Sequence, residues 1–372
     1  MHDLPVLLTL SALSDAALLF ALLRRAPLDA PRLLVAALWG LAFALAKGVV
    51  AVWGLSRGFL GIHVVHTWAL AVLPLASLAV LLAARRRPST PAARGLAAAG
   101  LVLLPLLLAW TALIEPADLR VERVDVPLPA ARAPAAPLVV GVLSDLQCDR
   151  VGDHERAAVA RLMEGRPDLI LMPGDLVQPA TRAGFEALVG PVRALLAPLD
   201  APLGVYFVMG NCDWGDGVRR LLKGTRVRIL ENESVLLAHG GREILLGGVD
   251  LMCASRRARD VLRELEQPGD ALRLLLAHRP DVALELPQDT RVDLVVAGHT
   301  HGGQVRLPWL GPLVTLSAVP DAVAAGGLHA LGGTRVHVSR GVGIERGDAP
   351  PIRFNCPPEV TLLTLAGTLA AP

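Results

Sequence analysis

Four stretches within the first 114 residues, Leu4–Leu23, Leu33–Leu55, Thr67–Ala84 and Gly95–Ile114, carry almost no charge, and each approaches the roughly 20 residues a helix needs to cross a bilayer. A run of this kind satisfies its backbone polar groups internally only as a helix, so four transmembrane helices are expected at about 4–23, 33–55, 67–84 and 95–114. Composition agrees: 53% of the 372 residues are hydrophobic, 19% are charged, and the mean hydropathy is +0.50. Charge is also divided. Residues 1–114 hold nine Lys and Arg against three Asp and Glu, a formal +6, which leaves 27 basic and 31 acidic residues, or −4, for 115–372. This pattern excludes a soluble one-piece enzyme, a disordered chain and a nucleic-acid binder driven by a basic surface, and four cysteines exclude a disulfide-dense module.

The first apolar run lacks a basic segment before it, and Arg24 and Arg25 follow it, so it reads as an uncleaved anchor rather than a signal peptide. Arg24, Arg25 and Arg32 follow the first run and Arg85, Arg86, Arg87 and Arg94 the third, whereas Arg57 alone follows the second. Positively charged loops stay in the cytoplasm, so the fourth run should exit on the opposite side and leave the C-terminal domain facing the periplasm or exterior. Trp53, Trp68 and Trp110 fall near the ends assigned to that outer face. Asp15 and Lys47 lie inside apolar runs at similar depth, and pairing across the first two helices is expected, as part of an anchor rather than an ion path. Residues 115–137, rich in Pro and Ala, read as a short strand passing into a linker, and 138–372 as a globular domain.

Within that domain one pattern recurs. The segments PLVVGVLSDLQ, DLILMPGDLV, GVYFVMGNCD, RLLLAHRPD and VDLVVAGHTH are apolar runs of strand length that stop abruptly at Asp, Asn or His. Near-continuous apolar runs suit strands buried on both faces of an α/β sheet, and helical spacing at His154–Gly165 and Ala183–Leu196 supplies the intervening helices. Ligands bind beyond the carboxyl ends of such strands. Taken singly, Asp145 reads as a helix cap, Gly174-Asp175 and Asn211 as turns, and His278 as an ordinary histidine. Together Asp145, Asp175, Asn211, His278, His299 and His301 offer carboxylate, amide and imidazole ligands, a mixture suited to Mn, Fe or Zn. Six ligands exceed one four-coordinate site, which implies two divalent ions sharing a carboxylate, the usual device for in-line displacement at phosphorus. The remaining histidines lack such context, and His239 beside Gly240-Gly241 reads as a hairpin turn.

The order D-x-Q, GD, GN-x-D, H and GHTH resembles the calcineurin-like metallophosphoesterase superfamily, and GHTHGGQVRLPWLG with PIRFNCPPEVTLLTL resembles its membrane-anchored bacterial branch. The resemblance implies a four-layer α/β/β/α sandwich behind a four-helix transmembrane anchor. It also implies a dinuclear site: Asp145, Gln147, Asp175 and His301 at the first metal, Asp175 bridging, and Asn211, His278 and His299 at the second. A bridging hydroxide would be the nucleophile. Asp213 would fill the supporting acidic position, and Cys212 would stand where the family usually has a histidine that assists the leaving group. Gln147 also replaces a usual histidine and would be a weaker, neutral ligand. Arg150 and Arg279 are candidate phosphate contacts, although structural roles suit them better, and Trp309 suits either a membrane contact or packing within its loop.

The expectation is therefore a membrane-anchored hydrolase of a phosphoester or pyrophosphate in the cell envelope, acting on a phosphorylated small molecule or a lipid-linked substrate and not on nucleic acid. The branch is similar to enzymes that split UDP-2,3-diacylglucosamine in lipid A synthesis, a cytoplasmic reaction that the outward orientation opposes. The rival is a membrane-tethered binding module on a weakened phosphoesterase fold.

Overall fold

The computed structural model describes residues 4–24, 29–49, 58–213, 215–251, 255–346 and 349–367. The chain divides into two compact units, 1–114 with 345–352, and 115–344 with 353–372.

In the first unit the apolar runs are helices: α1 (Leu4–Arg24), α2 (Ala30–Val49), α3 (Gly58–Thr67) continuing through a π-helical turn into α4 (Leu73–Ala83), and α5 (Pro91–Ala109). Thr90 starts α5: its Oγ1 accepts the Ala93 N–H at 3.2 Å, and Pro91 follows where no donor is needed. Two described segments, Pro31–Gly48 and Pro91–Ala117, are long and apolar enough to cross a membrane, while Leu8–Ala21 and Leu73–Ala83 are shorter apolar helices. Of the four spans expected, two therefore meet the measure of length and hydropathy, and the third is divided by the π-helical turn at Trp68–Val72. Arg25, Trp53 and Arg57, used above to orient the chain, lie outside the described residues.

Asp15 and Lys47 pair across α1 and α2 at 2.5 Å. The Lys47 ammonium also donates to Ser11 Oγ at 2.9 Å, Ser14 Oγ at 3.1 Å and the Ser11 carbonyl at 3.0 Å, so its donors are spent inside the helix pair. In the same unit Leu19, Ala44, Trp68 and Val72 form a buried apolar cluster. Gly40 permits it, since a Cβ there would lie 2.9 Å from the Trp68 ring.

The second unit contains two six-stranded sheets. The first is built from β1 (Arg120–Leu128), β2 (Leu138–Val142), β3 (Leu169–Met172), β4 (Val205–Phe207), β5 (Val227–Ile229) and the last strand, Glu359–Gly367. The second is built from β6 (Glu233–His239), β7 (Arg242–Gly248), β8 (Leu272–Leu276), β9 (Leu294–Ala297) and two later strands. A two-stranded ribbon of β10 (Arg306–Leu307) and β11 (Gly311–Pro312) comes between, and β12 (Gly327–Leu331), β13 (Thr334–Val338) and β14 (Glu359–Gly367) complete the set. The orders are β1-β14-β2-β3-β4-β5 and β12-β13-β9-β8-β7-β6.

Packing follows from the doubly apolar strands. Val140, Val142, Leu169, Leu171, Leu363 and Leu365 of the first sheet face Ile244, Leu246, Leu272, Leu274, Leu294 and Val296 of the second in one core. The opposite face of the first sheet is covered by α6 (Asp153–Glu164), α7 (Arg182–Leu196) and α8 (Gly215–Leu222), through Leu162, Phe185, Leu188, Val192 and Leu221. The opposite face of the second carries α9 (Arg256–Leu265), through Val261 and Leu265. The layers thus run helix, sheet, sheet, helix. His239 ends β6, and Gly240-Gly241, with φ of +55° and +73°, makes the tight turn into antiparallel β7.

Residues 120–128, within the stretch read as leading into a linker, form a nine-residue strand in full parallel register with β14. An edge position explains the misleading sequence: Pro127 is tolerated there, and only Val126 and Leu128 are buried. The linker reading shrinks to the turn between β1 and β2.

Candidate metal centre

Each of β2, β3, β4, β8 and β9 ends in one of the polar segments, and the two sheets bring those ends together. Asp145, Asp175 and His301 have ligand atoms within 4.8 Å of one another, all three buried. His301 Nε2 lies 3.6 Å from Asp145 Oδ1, and His278 Nε2 lies 3.6 Å from Asp175 Oδ2. Gln147 is also buried, its amide 3.3 Å from Asp175 Oδ2 and 3.7 Å from Cys212 Sγ. Nearer the surface, Asn211 Oδ1 is 2.9 Å from His278 Nε2, and His299 Nδ1 is 3.2 Å from the same nitrogen. Asn211 is exposed and Cys212 and His299 are half-buried, so this side is the open one.

Backbone conformation sets these side chains apart from their neighbours. Asp145, Gln147, Asp175, His299 and His301 all have left-handed φ, between +40° and +71°. A non-glycine residue there costs about 1 kcal/mol or more, and such residues cluster where function over-determines the geometry. Glycines give the strained loops room. Gly174, at φ +102°, would carry a Cβ 2.7 Å from His278 Nδ1, and a Cβ at Gly298 would lie 2.2 Å from Asp145 Oδ2.

Main-chain contacts fix the imidazoles. His278 Nδ1 lies 2.7 Å from the Pro173 carbonyl, which can only accept, so Nδ1 carries the proton and Nε2 presents its lone pair to the site. His299 Nε2 is likewise 3.2 Å from the Leu316 carbonyl, leaving Nδ1 as the lone-pair nitrogen. Burial, then His278, pushes the His299 pKa down to about 4, so the ring is neutral at pH 7. The backbone N–H of His299 donates to both Asp145 carboxylate oxygens at 3.1 and 3.2 Å, and Ser144 Oγ donates to Oδ2.

Asp213 sits beneath the cluster. Its Oδ2 accepts the N–H groups of Asp175 and Gly210, each at 2.8 Å, and its Oδ1 accepts that of Leu176 at 2.9 Å. It therefore ties the Gly-Asp loop to the Gly-Asn loop. Desolvation, then the Asp175 carboxylate, raises its pKa to about 7. Cys212 donates its backbone N–H to Asp175 Oδ1 at 2.7 Å and turns its sulfur toward the Asn211 amide at 3.5 Å.

The donor set fits divalent cations. Two buried carboxylates converge with imidazoles whose ring nitrogens face inward, a concentration of negative charge that bound cations would offset. Asp145, Gln147, Asp175 and His301 form one group of potential ligands, and Asn211, His278 and His299 a second beside Asp175.

Two further residues singled out in the sequence have other placements. Arg279 donates to the Leu316 carbonyl at 2.8 Å and lies 3.5 Å from Asp281, which is a structural placement. Trp309 is fully exposed, which removes the reading of packing within its own loop. The carbonyls of Pro173 and Leu316 were not legible in sequence, because a main-chain oxygen has no residue signature.

A family model for calcineurin-like phosphoesterases matches residues 138–303. Over 221 residues the chain is 33% identical to the metallophosphoesterase YkuE of Bacillus subtilis, covering 57% of this chain and 73% of that one. Over 243 residues it is 33% identical to the phosphodiesterase YaeI of Escherichia coli, covering 62% and 83%. A metallophosphoesterase of Aquifex aeolicus is 30% identical over 234 residues, covering 60% and 83%. With five strand ends carrying the expected residues into one cluster, the chain belongs to the calcineurin-like phosphoesterases.

Proposed function

We propose that the protein is a membrane-anchored, metal-dependent phosphoesterase that hydrolyses a phosphoester or pyrophosphate at the cell envelope. The observation that carries this reading is the convergence of Asp145, Asp175 and His301 with the Asn211–His278–His299 group, mostly on left-handed backbone. Two divalent ions bound there would polarise the phosphoryl oxygens and supply an activated water. The chain's own groups do the rest. Pro173 and Leu316 hold the two imidazole tautomers, Asp213 locks the loops that present Asp175 and Asn211, and Cys212 stands at the open side within reach of a leaving group. Its thiol is a weaker proton donor at neutral pH than imidazolium, so a substrate with a good leaving group suits this site best.

A lipid-linked substrate is favoured by the rim. Leu316, whose carbonyl holds His299, closes a loop on which Leu307, Trp309, Leu310 and Leu313 are exposed. The relatedness to YaeI, named a phosphodiesterase, supports a diester among the substrates. The anchor is read as four helices with the catalytic domain on the periplasmic or exterior face of the inner membrane, on the arginine distribution of the loops.

The test is hydrolysis of aryl phosphate, bis-aryl phosphate and lipid pyrophosphate by the purified full-length protein, with and without Mn. Turnover that requires metal and is lost in Asp175→Ala supports the reading; absence of metal and of turnover favours the tethered binding module. A reporter fused after Pro372 that is active only in the cytoplasm would overturn the outward orientation and favour the lipid A type of reaction.

A further inference from the structure

The segment Arg353–Cys356 lies outside every ligand loop, yet it contacts two of them. Arg353 is fully buried and spends its guanidinium on carbonyls: Nη1 donates to Cys356 O at 2.9 Å, and Nη2 to Arg340 O at 2.9 Å, Gly341 O at 3.2 Å and Gly343 O at 2.5 Å. Three of those acceptors belong to one turn. The other side of that turn faces Asp145: Gly343 N–H donates to the Asp145 carbonyl at 2.7 Å and Val342 N–H to the Ser144 carbonyl at 3.0 Å. The approach is close enough that a Cβ on Gly341, at φ +72°, would sit 2.7 Å from the Asp145 Cβ.

The second contact is made by the thiol. Cys356 is fully buried, and its Sγ–H donates to the His301 carbonyl at 3.2 Å. Its own N–H donates to Glu115 Oε1 at 2.5 Å, which fixes the cysteine at the start of the domain. Asp145 and His301, held left-handed at φ +49° and +48°, are thus each braced from behind by the same short segment.

We propose that Arg353 and Cys356 are positioning residues for the first metal, Arg353 acting on Asp145 through the 340–343 turn and Cys356 acting on His301 through its carbonyl. A ligand on strained backbone relaxes unless something outside it holds the loop, and a relaxed ligand binds metal more weakly. A guanidinium is suited to this task because its planar fork serves several carbonyls at once, which an ammonium on a flexible stem does not. The inference rests on the metal-centre reading above.

The test is Mn titration of metal-free, full-length protein in detergent, following free Mn by electron paramagnetic resonance, alongside its thermal unfolding without metal. Cys356→Ala and Arg353→Lys should each weaken the Mn affinity about tenfold, the low end for groups that orient ligands. Cys356→Ser, which keeps a donor, should recover most of the loss. Wild-type Mn affinity in both Cys356→Ala and Arg353→Lys, whatever happens to their unfolding temperature, would overturn the proposal and leave the segment a purely structural brace. If Arg353→Lys fails to fold, the comparison of Cys356→Ala with Cys356→Ser decides. Asp145→Asn separates the two levels: if it binds Mn as the wild type does, the metal-centre reading itself fails.

Discussion

The backbone N–H of Asp175 and that of Gly210 both end on Oδ2 of Asp213, each at 2.8 Å, so one carboxylate oxygen joins the loops that follow β3 and β4. Replacing Asp213 with Ala leaves those donors and the N–H of Leu176 without an acceptor, at a cost of about 1–3 kcal/mol for each donor that stays buried. Asp213→Ala should therefore lower the urea midpoint and weaken Mn binding together, whereas Cys212→Ala should leave the midpoint near that of the wild type. Equal midpoints for Asp213→Ala and wild type would refute the clamp.

The ion pair in the helical unit gives a prediction of opposite character. Lys47→Met strands the buried Asp15 carboxylate among apolar side chains, a loss of about 3–5 kcal/mol. Adding Asp15→Asn removes the stranded charge, so the double variant should be more stable than Lys47→Met alone. Unfolding in mixed detergent micelles measures both, and a double variant no more stable than Lys47→Met would contradict the pairing.

His337 on β13 sets an acid limit on stability. It is 1% exposed, lies beside Val296 and Leu328 in the strand register, and has its pKa pushed down to about 3, first by burial and then by Arg340 and His329. Between the unfolded value of 6.5 and about 3, the unfolded chain carries a proton that the folded chain lacks. Stability from this residue is complete above pH 6.5 and falls as pH drops through that window, by up to about 1.4 kcal/mol per pH unit. The difference in urea midpoint between pH 7 and pH 5 should shrink in His337→Leu; an unchanged difference would remove His337 as a source.

Trp309 and Leu310 should matter only when the substrate sits in a bilayer. The pair Trp309→Ala and Leu310→Ala should cut kcat/KM on a vesicle-borne phosphoester about tenfold, as the loss of about 1.4 kcal/mol of apolar contact would give, and leave hydrolysis of an aryl phosphate unchanged. Equal losses on both substrates would assign the loop to the fold rather than to lipid.

What the sequence revealed depended on whether the signal was carried by side-chain identity. Strands β2, β3, β4, β8 and β9 announce themselves as apolar runs that stop at Asp, Asn or His, because burial on both faces leaves almost no charged position inside, the buried Arg273 of β8 being the exception. The cross-helix pairing of Asp15 with Lys47 was legible for the same reason: charge inside an apolar run demands a partner. β1 was only half legible, since its charged and proline positions are tolerated at an edge and its partner β14 lies more than 200 residues away in sequence. The brace at Arg353 was not legible at all. Its acceptors are carbonyls of Arg340, Gly341 and Gly343, groups that every residue possesses.

β14 occupies the place between β1 and β2, parallel to the first and antiparallel to the second. The last of the described strands to be synthesised is therefore the one that joins the domain's first two strands. Until residues 359–367 have left the ribosome, β1 has no neighbour in its sheet and β2 lacks one of its two, among the described strands. A growing chain is thus held without a finished candidate metal site until β14 is in place, and stop codons upstream of Glu359 should yield protein that neither binds Mn tightly nor resists proteolysis at 120–142.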